Sequence, residues 1–277
     1  INIMPDCHAG KGCVIGFTAK NINRVSPNLL GVDLSCGVLA VKIGNIEIDL
    51  ESLDNFIKEN IPYGMSDNKE VQEVFMNQQF KKDVLEVCEL IGEGKNYQRH
   101  LLSVGSLGGG NHYIELNIDK NGEKWIVIHS GSRNFGNKIA TYSQKLAIKY
   151  CEEQSDLYKK SIKGKIGELK RENRSNEIEE LLSVEKNIHD VTKELSFLEG
   201  ELLNKYLELI KVADEFAKLN RMTMVRKIMD FLGVKEALNS VHTIHNYFEK
   251  DLLGNTYIRK GAISAKKDET VIIPINM

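Results

Sequence analysis

The stretch SLGGGNHYIELNIDKNGEKWIVIHSGSRNFG, residues 106–136, sets the frame for the whole chain. Two β-like runs, NHYIELNI and KWIVIHS, flank an Asn-Gly turn, which is a hairpin signal. Polar residues gather at the two outer ends. Gly108, Gly109 and Gly110 stand directly before Asn111 and His112, and His129 follows the apolar run WIVI. A glycine triplet serves either a turn with positive φ or a loop that brings backbone amides and an imidazole close to a phosphate or metal. Taken alone, the ordinary turn is the commoner use.

Outward from this hairpin, residues 1–50 alternate short β-like runs (CVIGFTA, VLAVKIG) with Gly, Asp and Asn turns. Residues 50–62 and 68–94 have helical character, the second carrying Val71, Val74, Phe75, Val84, Val87 and Leu90. From about 138 to 232 proline disappears and Glu and Lys accumulate. Leu181, Ile188, Leu195, Leu202 and Leu209 recur every seven residues, with Val184, Val191, Leu198 and Val212 three residues after four of them. That a/d seam predicts a long helix, paired across a turn at RENRSN (171–176) with a preceding helix that holds Ile162, Ile166 and Leu169. The expectation is a long antiparallel helical hairpin, or coiled coil, inserted at about 138–232 into one α+β domain spanning 1–277. β-like runs resume in VHTIHNYFEK, TYIRKGAISA and TVIIPIN.

Composition sets limits. Hydrophobic residues at 42% and charged residues at 27% describe a globular chain. A formal charge of −2, from 37 Lys+Arg against 39 Asp+Glu, excludes binding by bulk positive charge but leaves room for a local basic site. No apolar run approaches the roughly 20 residues that span a bilayer. The five cysteines, Cys7, Cys13, Cys36, Cys88 and Cys151, form no CxxC pair, which fits a reducing cytoplasm. INIMPD at the start already reads as strand and VIIPINM runs into a turn, so both ends read as incomplete, as in an internal part of a longer chain.

Asp33 and Cys36 lie in GVDLSCGV between turn glycines, and His112, His129 and His245 each stand at a strand–loop junction. Singly, each has an ordinary explanation: a hydrogen-bonded histidine, a core cysteine. Together they exceed one tetrahedral site and suit two metals that share a thiolate. MPDCHAGKG (4–12), SGSRNFG (130–136) and IRKGA (258–262) add Gly-Lys-Gly, Arg133 and Arg259-Lys260 turns suited to an anionic substrate. Neither GxxxxGK[ST] nor GxGxxG is present.

MPDCHAGKG, GVDLSCG, GSLGGGNHYIEL, HSGSRNFGN, LNRM, HNY and RKGA, in this order, resemble the RtcB family of RNA ligases. The resemblance implies that family's α+β fold of mixed β-sheets with helices, around a two-manganese site. It implies a GTP-dependent ligase that joins RNA 2′,3′-cyclic phosphate or 3′-phosphate ends to 5′-hydroxyl ends through a guanylylated histidine, in RNA repair or tRNA splicing. Carried over, Cys36 bridges two metals, with Asp33 and His112 on one and His129 and His245 on the other. Asn111, His112, Tyr113, Ile114 and Glu115 would line a GTP site, joined by His245, Asn246, Pro274, Asn276 and Met277. Arg133, Asn220, Arg221 and Lys260 would contact phosphate or RNA. Ligand chemistry alone favours zinc at a Cys/His site, and manganese enters through the resemblance. The family's nucleophilic histidine sits in an HGAGR-type motif expected downstream of Met277, so no catalytic nucleophile is assigned within these residues. Implied partners are RNA ends, GTP and, at most, a helper protein; no membrane is implied. Two alternatives stay open: a relative that binds metal, nucleotide and RNA ends without joining them, and a metal phosphoesterase.

Overall fold

GVLAVKIG is apolar on both faces, as a strand buried within a sheet requires. In the computed structural model, which describes residues 1–20, 23–185 and 191–273, this run is the central strand. The elements in chain order are β1 (Asn2–His8), β2 (Ile15–Lys20), β3 (Arg24–Val25), β4 (Gly37–Gly44), α1 (Leu50–Asn60), α2 (Gln78–Leu90), α3 (Tyr97–Leu102), β5 (Tyr113–Ile118) and β6 (Lys124–Ser130). There follow α4 (Arg133–Arg171), α5 (Ile178–Glu185), β7 (Leu198–Glu199), α6 (Gly200–Phe231), β8 (Asn239–Ile244), β9 (Asn246–Lys250) and β10 (Thr256–Lys260).

Two antiparallel sheets carry the architecture, in the orders β5-β6-β4-β8 and β1-β2-β10-β9. The 106–136 stretch folds as the β5–β6 hairpin, its turn tied by Asp119, which accepts from the Asn121 and Glu123 amides. One residue, His245, separates β8 in the first sheet from β9 in the second. The chain changes sheets there, so the functional residues gather where the two sheets join.

The side chains of β4 and β6 alternate between two environments, as a strand period of two requires. Leu39, Val41, Ile43, Ile126 and Ile128 pack against Met224, Val225, Ile228 and Met229 of α6. Val38, Ala40 and Val127 form a smaller cluster with Tyr113, Trp125 and Ile272. The largest cluster joins α2, α4 and α6 to Phe17, Ala19 and Ile258 of the second sheet. The fold is α+β, as expected. Among the described residues no helix is long and apolar enough to cross a membrane.

The helical region departs from the expected hairpin in two ways. First, α4 and α6 are not appended to the body but run through its core. Residues Phe135 to Ala147 of α4 and Leu203 to Met229 of α6 supply buried side chains. Second, the heptad seam is not one helix. Residues 191–197 are irregular, and Leu198 pairs with Val25 as a short strand, fully buried. Arg24 closes on Glu199, which also accepts from the Tyr150 hydroxyl. Burying Leu198 against a strand outcompetes the heptad period, so Leu195 is left 43% exposed. The turn at 171–176 stands as expected, with α4 ending at Arg171 and Asn173 at φ 57°. Val184, Ile188 and His189 lie outside the described residues or side chains. The 68–94 helix begins only at Gln78, where Asn77 caps it by accepting from the Phe80 amide.

Candidate metal and nucleotide site

Four short segments bring the ligand candidates together. The turn before β4 carries Asp33 and Cys36, with the Cys36 amide donating to Asp33 O and Ser35 held at φ 59°. The glycine loop before β5 carries His112. The end of β6 carries His129, and β4–β6 pairing places Val38 opposite it. His245, at the change of sheets, donates its amide to Cys36 O.

Cys36 Sγ lies 3.2 Å from His129 Nε2 and 3.4 Å from His112 Nε2. These three ligand atoms all fall within 4.8 Å of one another. His245 Nε2 is 3.4 Å from His129 Nε2, and Asp33 Oδ2 is 2.9 Å from His112 Nε2. All five expected ligands are therefore contiguous.

The hydrogen bonds on the far side of the rings fix their orientation. His112 Nδ1 donates to Leu107 O at 2.9 Å and His129 Nδ1 to Asn111 O at 3.0 Å. A carbonyl only accepts, so each ring carries a proton on Nδ1 and turns its Nε2 inward. Burial and the neighbouring His112 push the His129 pKa down to about 4. Burial and His129 push that of His245 down to about 3. Burial raises the Asp33 carboxyl, but the His112 hydrogen bond and charge, with Arg133, outweigh it and hold Asp33 below its ordinary value. Burial and the Asp33 charge push the Cys36 thiol well up.

Imidazole nitrogens turned inward beside a sulfur and a carboxylate make a donor set that a cation can join. Asp33 Oδ1 is buried with no hydrogen-bond partner, and it occupies the space a Cβ on Gly131 would fill, 2.1 Å away. An orphaned carboxylate oxygen, a thiol and converging imidazole nitrogens fit a divalent metal.

Beside this cluster lies a cavity of about 290 Å³ lined by Asp33, Cys36, His245, Asn111, Asn246 and Lys260, together with Asp6, His8 and Lys11. Asp6 and His8 had no role in the sequence reading. Their spacing in PDCH, which puts both on one face of β1, is the signal that could have found them.

Several expected contact residues have other employment. Lys260 Nζ donates to the carbonyls of Lys11 at 2.6 Å, Asn28 at 3.1 Å and Cys13 at 3.4 Å, so its three protons hold loops together. Asn246 donates to Asp33 O and accepts from the Gly261 amide, which spends both ends of its amide. Asn220 and Arg221 are 0% exposed, and a group without access to solvent cannot touch RNA. Asn220 accepts from the Gly105 and Ser106 amides and donates to Ser130 Oγ and Gly131 O. Arg221 donates to Ser35 O, Ser130 O and His242 Nε2. The sequence put polar residues at these places, and the core took them.

Of the other nucleotide candidates, the Tyr113 ring lies tilted against the His129 ring with centroids 5.2 Å apart, and Glu115 is exposed on β5. Ile114 points away, into the cluster under α6. Pro274, Asn276 and Met277 lie outside the described residues. Arg133, the first residue of α4 at φ 58°, donates to Ser106 Oγ and Gly64 O beneath the glycine loop. A Cβ on Gly108 would meet Arg133 Nη1 at 1.8 Å and His112 Nδ1 at 2.9 Å. That is why Gly108 carries no side chain, since the backbone there lies directly on Arg133 and the His112 ring, whereas Gly110 is needed for its φ of 73° alone.

Comparison with known proteins agrees with this geometry. The family model described as tRNA-splicing ligase RtcB matches residues 1–277. The RNA-splicing ligase RtcB1 of Escherichia coli is 30% identical over 307 aligned positions, which take in 100% of this chain and 67% of that protein. The RNA-splicing ligase RtcB of Escherichia coli strain K12 is 29% identical with the same coverage. With a family model matched from residue 1 to residue 277 and its ligand cluster assembled, the chain belongs to the RtcB family.

Proposed function

We propose that this chain forms the metal- and nucleotide-binding centre of an RNA ligase. The reaction is the GTP- and manganese-dependent joining of RNA 2′,3′-cyclic phosphate or 3′-phosphate ends to 5′-hydroxyl ends, through a guanylylated histidine. The observation that carries this reading is the convergence of Cys36, His112 and His129, flanked by Asp33 and His245, in a chain of this family.

Asp33 and His112 would hold one ion and His129 and His245 a second, with the Cys36 thiolate available to both. Bound ions neutralise phosphate charge and make phosphorus more open to attack. The Nδ1–H bonds to Leu107 O and Asn111 O keep the imidazoles aimed without a ligand, so little reorganisation is needed on binding. Cys36 at 4% and His129 at 0% exposure keep bulk water from the donor set. Asn111 lines the cavity where a nucleotide phosphate would lie, and Glu115, exposed on β5, would accept from a guanine edge. A soft thiolate with imidazoles also suits zinc, so manganese is the choice that the family favours over ligand softness. A reducing cytoplasm suits the site, because Cys36 must remain a free thiol.

Incubating the full-length protein, nucleophilic histidine included, with 5′-hydroxyl RNA, cyclic-phosphate RNA, GTP and manganese tests this. Ligated product is the expected outcome. RNA bound but unchanged would favour an end-recognising relative, and hydrolysed ends a phosphoesterase.

A further inference from the structure

We propose that Arg221, held in place by His242, is a positioning residue that sets the spacing between Cys36 and His129. This rests on the metal reading of those two residues. Arg221 Nη1 donates both to Ser35 O at 3.0 Å and to Ser130 O at 2.5 Å. Ser35 directly precedes Cys36, and Ser130 directly follows His129. A single guanidinium nitrogen thus bridges the two loops whose side chains must meet. Its other donors, Nε at 3.1 Å and Nη2 at 2.6 Å, both go to His242 Nε2 on β8. Strand β8 leads three residues later to His245, so the fork touches three ligand-bearing segments.

The chemistry argues for positioning over simple stability. Arg221 is fully buried and its hydrogen bonds end on two carbonyls and a neutral imidazole. A buried cation with no bonded carboxylate is costly, and a well-packed apolar residue would serve a core position better. What a guanidinium alone offers is a rigid planar fork with donors in fixed directions. A lysine could supply the charge but not reach both carbonyls and His242 at once. Burial pushes its pKa down to about 10, so it stays charged at neutral pH and keeps all its donors. The neighbouring Asn220 does comparable work one loop further on, tying the Gly105 and Ser106 amides to Ser130 and Gly131. Ser35 itself sits at a positive φ of 59°, a conformation that needs an external hold.

Cobalt(II) titration reads the geometry without turnover, because thiolate-to-cobalt absorption requires Cys36 at bonding distance and the visible bands report the ligand arrangement. The parent protein should show that thiolate band. Arg221→Lys and Arg221→Met should both bind cobalt on the order of 10- to 100-fold more weakly, with altered visible bands, while melting remains a single cooperative transition. A merely charged role would let the lysine variant recover, and recovery would overturn the bridge. Should the Arg221 variants fail to fold, His242 decides: His242→Ala should weaken cobalt binding several-fold, and His242→Gln, which keeps an acceptor, should restore it. Parent-like affinity and spectra in Arg221→Met, or in His242→Ala, would overturn the inference. Absence of the thiolate band in the parent would instead overturn the metal reading beneath it.

Discussion

Gly108 and Arg133 share one space: a methyl group on Gly108 would lie 1.8 Å from the guanidinium Nη1. Gly108 also sits at φ 91°. Gly108→Ala therefore combines backbone strain, about 1–3 kcal/mol, with displacement of Arg133 from Ser106 and Gly64. Gly122, at φ 79° with nothing near its missing Cβ, gives the strain alone. Gly108→Ala should lower RNA-end binding well beyond Gly122→Ala at similar stability loss. Equal effects from the two would show that Arg133's seat is immaterial.

The two leucines of the broken seam separate helix from strand. In a continuous a/d helix, Leu195 and Leu198 would both be core. Here Leu195 is 43% exposed and Leu198 fully buried beside Val25. Leu198→Ala should cost about 2–5 kcal/mol in denaturant unfolding, and Leu195→Ala far less. Similar losses would restore the heptad helix.

Those leucines also mark where sequence reasoning stopped. The strands were legible because β4 and the β5–β6 hairpin obey local rules: an apolar run, a period of two, an Asn-Gly turn. The five candidate ligands, which the structure brings together, were legible because each stands where a strand meets a loop, and the family motifs named them. Leu198 was not, since its partner Val25 is far away in sequence and periodicity knows only neighbours. Asn220 and Arg221, expected at phosphate or RNA, lie in the core, and sequence could not show it for a related reason. A polar side chain that reaches RNA and one that braces buried carbonyls look alike until burial is known.

Buried His100 predicts an acid sensitivity. It is 2% exposed, packed edge-on to Phe135, with Nε2 lacking a hydrogen bond. Burial, only partly offset by Glu93, lowers its pKa from 6.5. Below that value the unfolded chain takes up a proton that the folded chain resists, so stability falls as pH drops below about 6.5. Melting temperatures of His100→Leu should decline less between pH 7 and 5 than those of the parent. Parallel curves would remove His100 from the account.

Nucleotide choice should reside in Glu115, whose carboxylate can accept from two guanine N–H groups that adenine does not present in that arrangement. Glu115→Ala should weaken GTP binding and erode its preference over ATP while metal content stays unchanged. Calorimetric titration with both nucleotides checks this, and a variant that prefers GTP as strongly as the parent would count against the role.

The central claim is a metal centre built on Cys36, and manganese stoichiometry tests it most directly. Chelator-treated parent protein, reloaded and analysed for bound metal, should retain a pair of ions per chain. Cys36→Ser should retain far less, because an alcohol is a much poorer anionic ligand at neutral pH. Unchanged stoichiometry in Cys36→Ser would contradict the account.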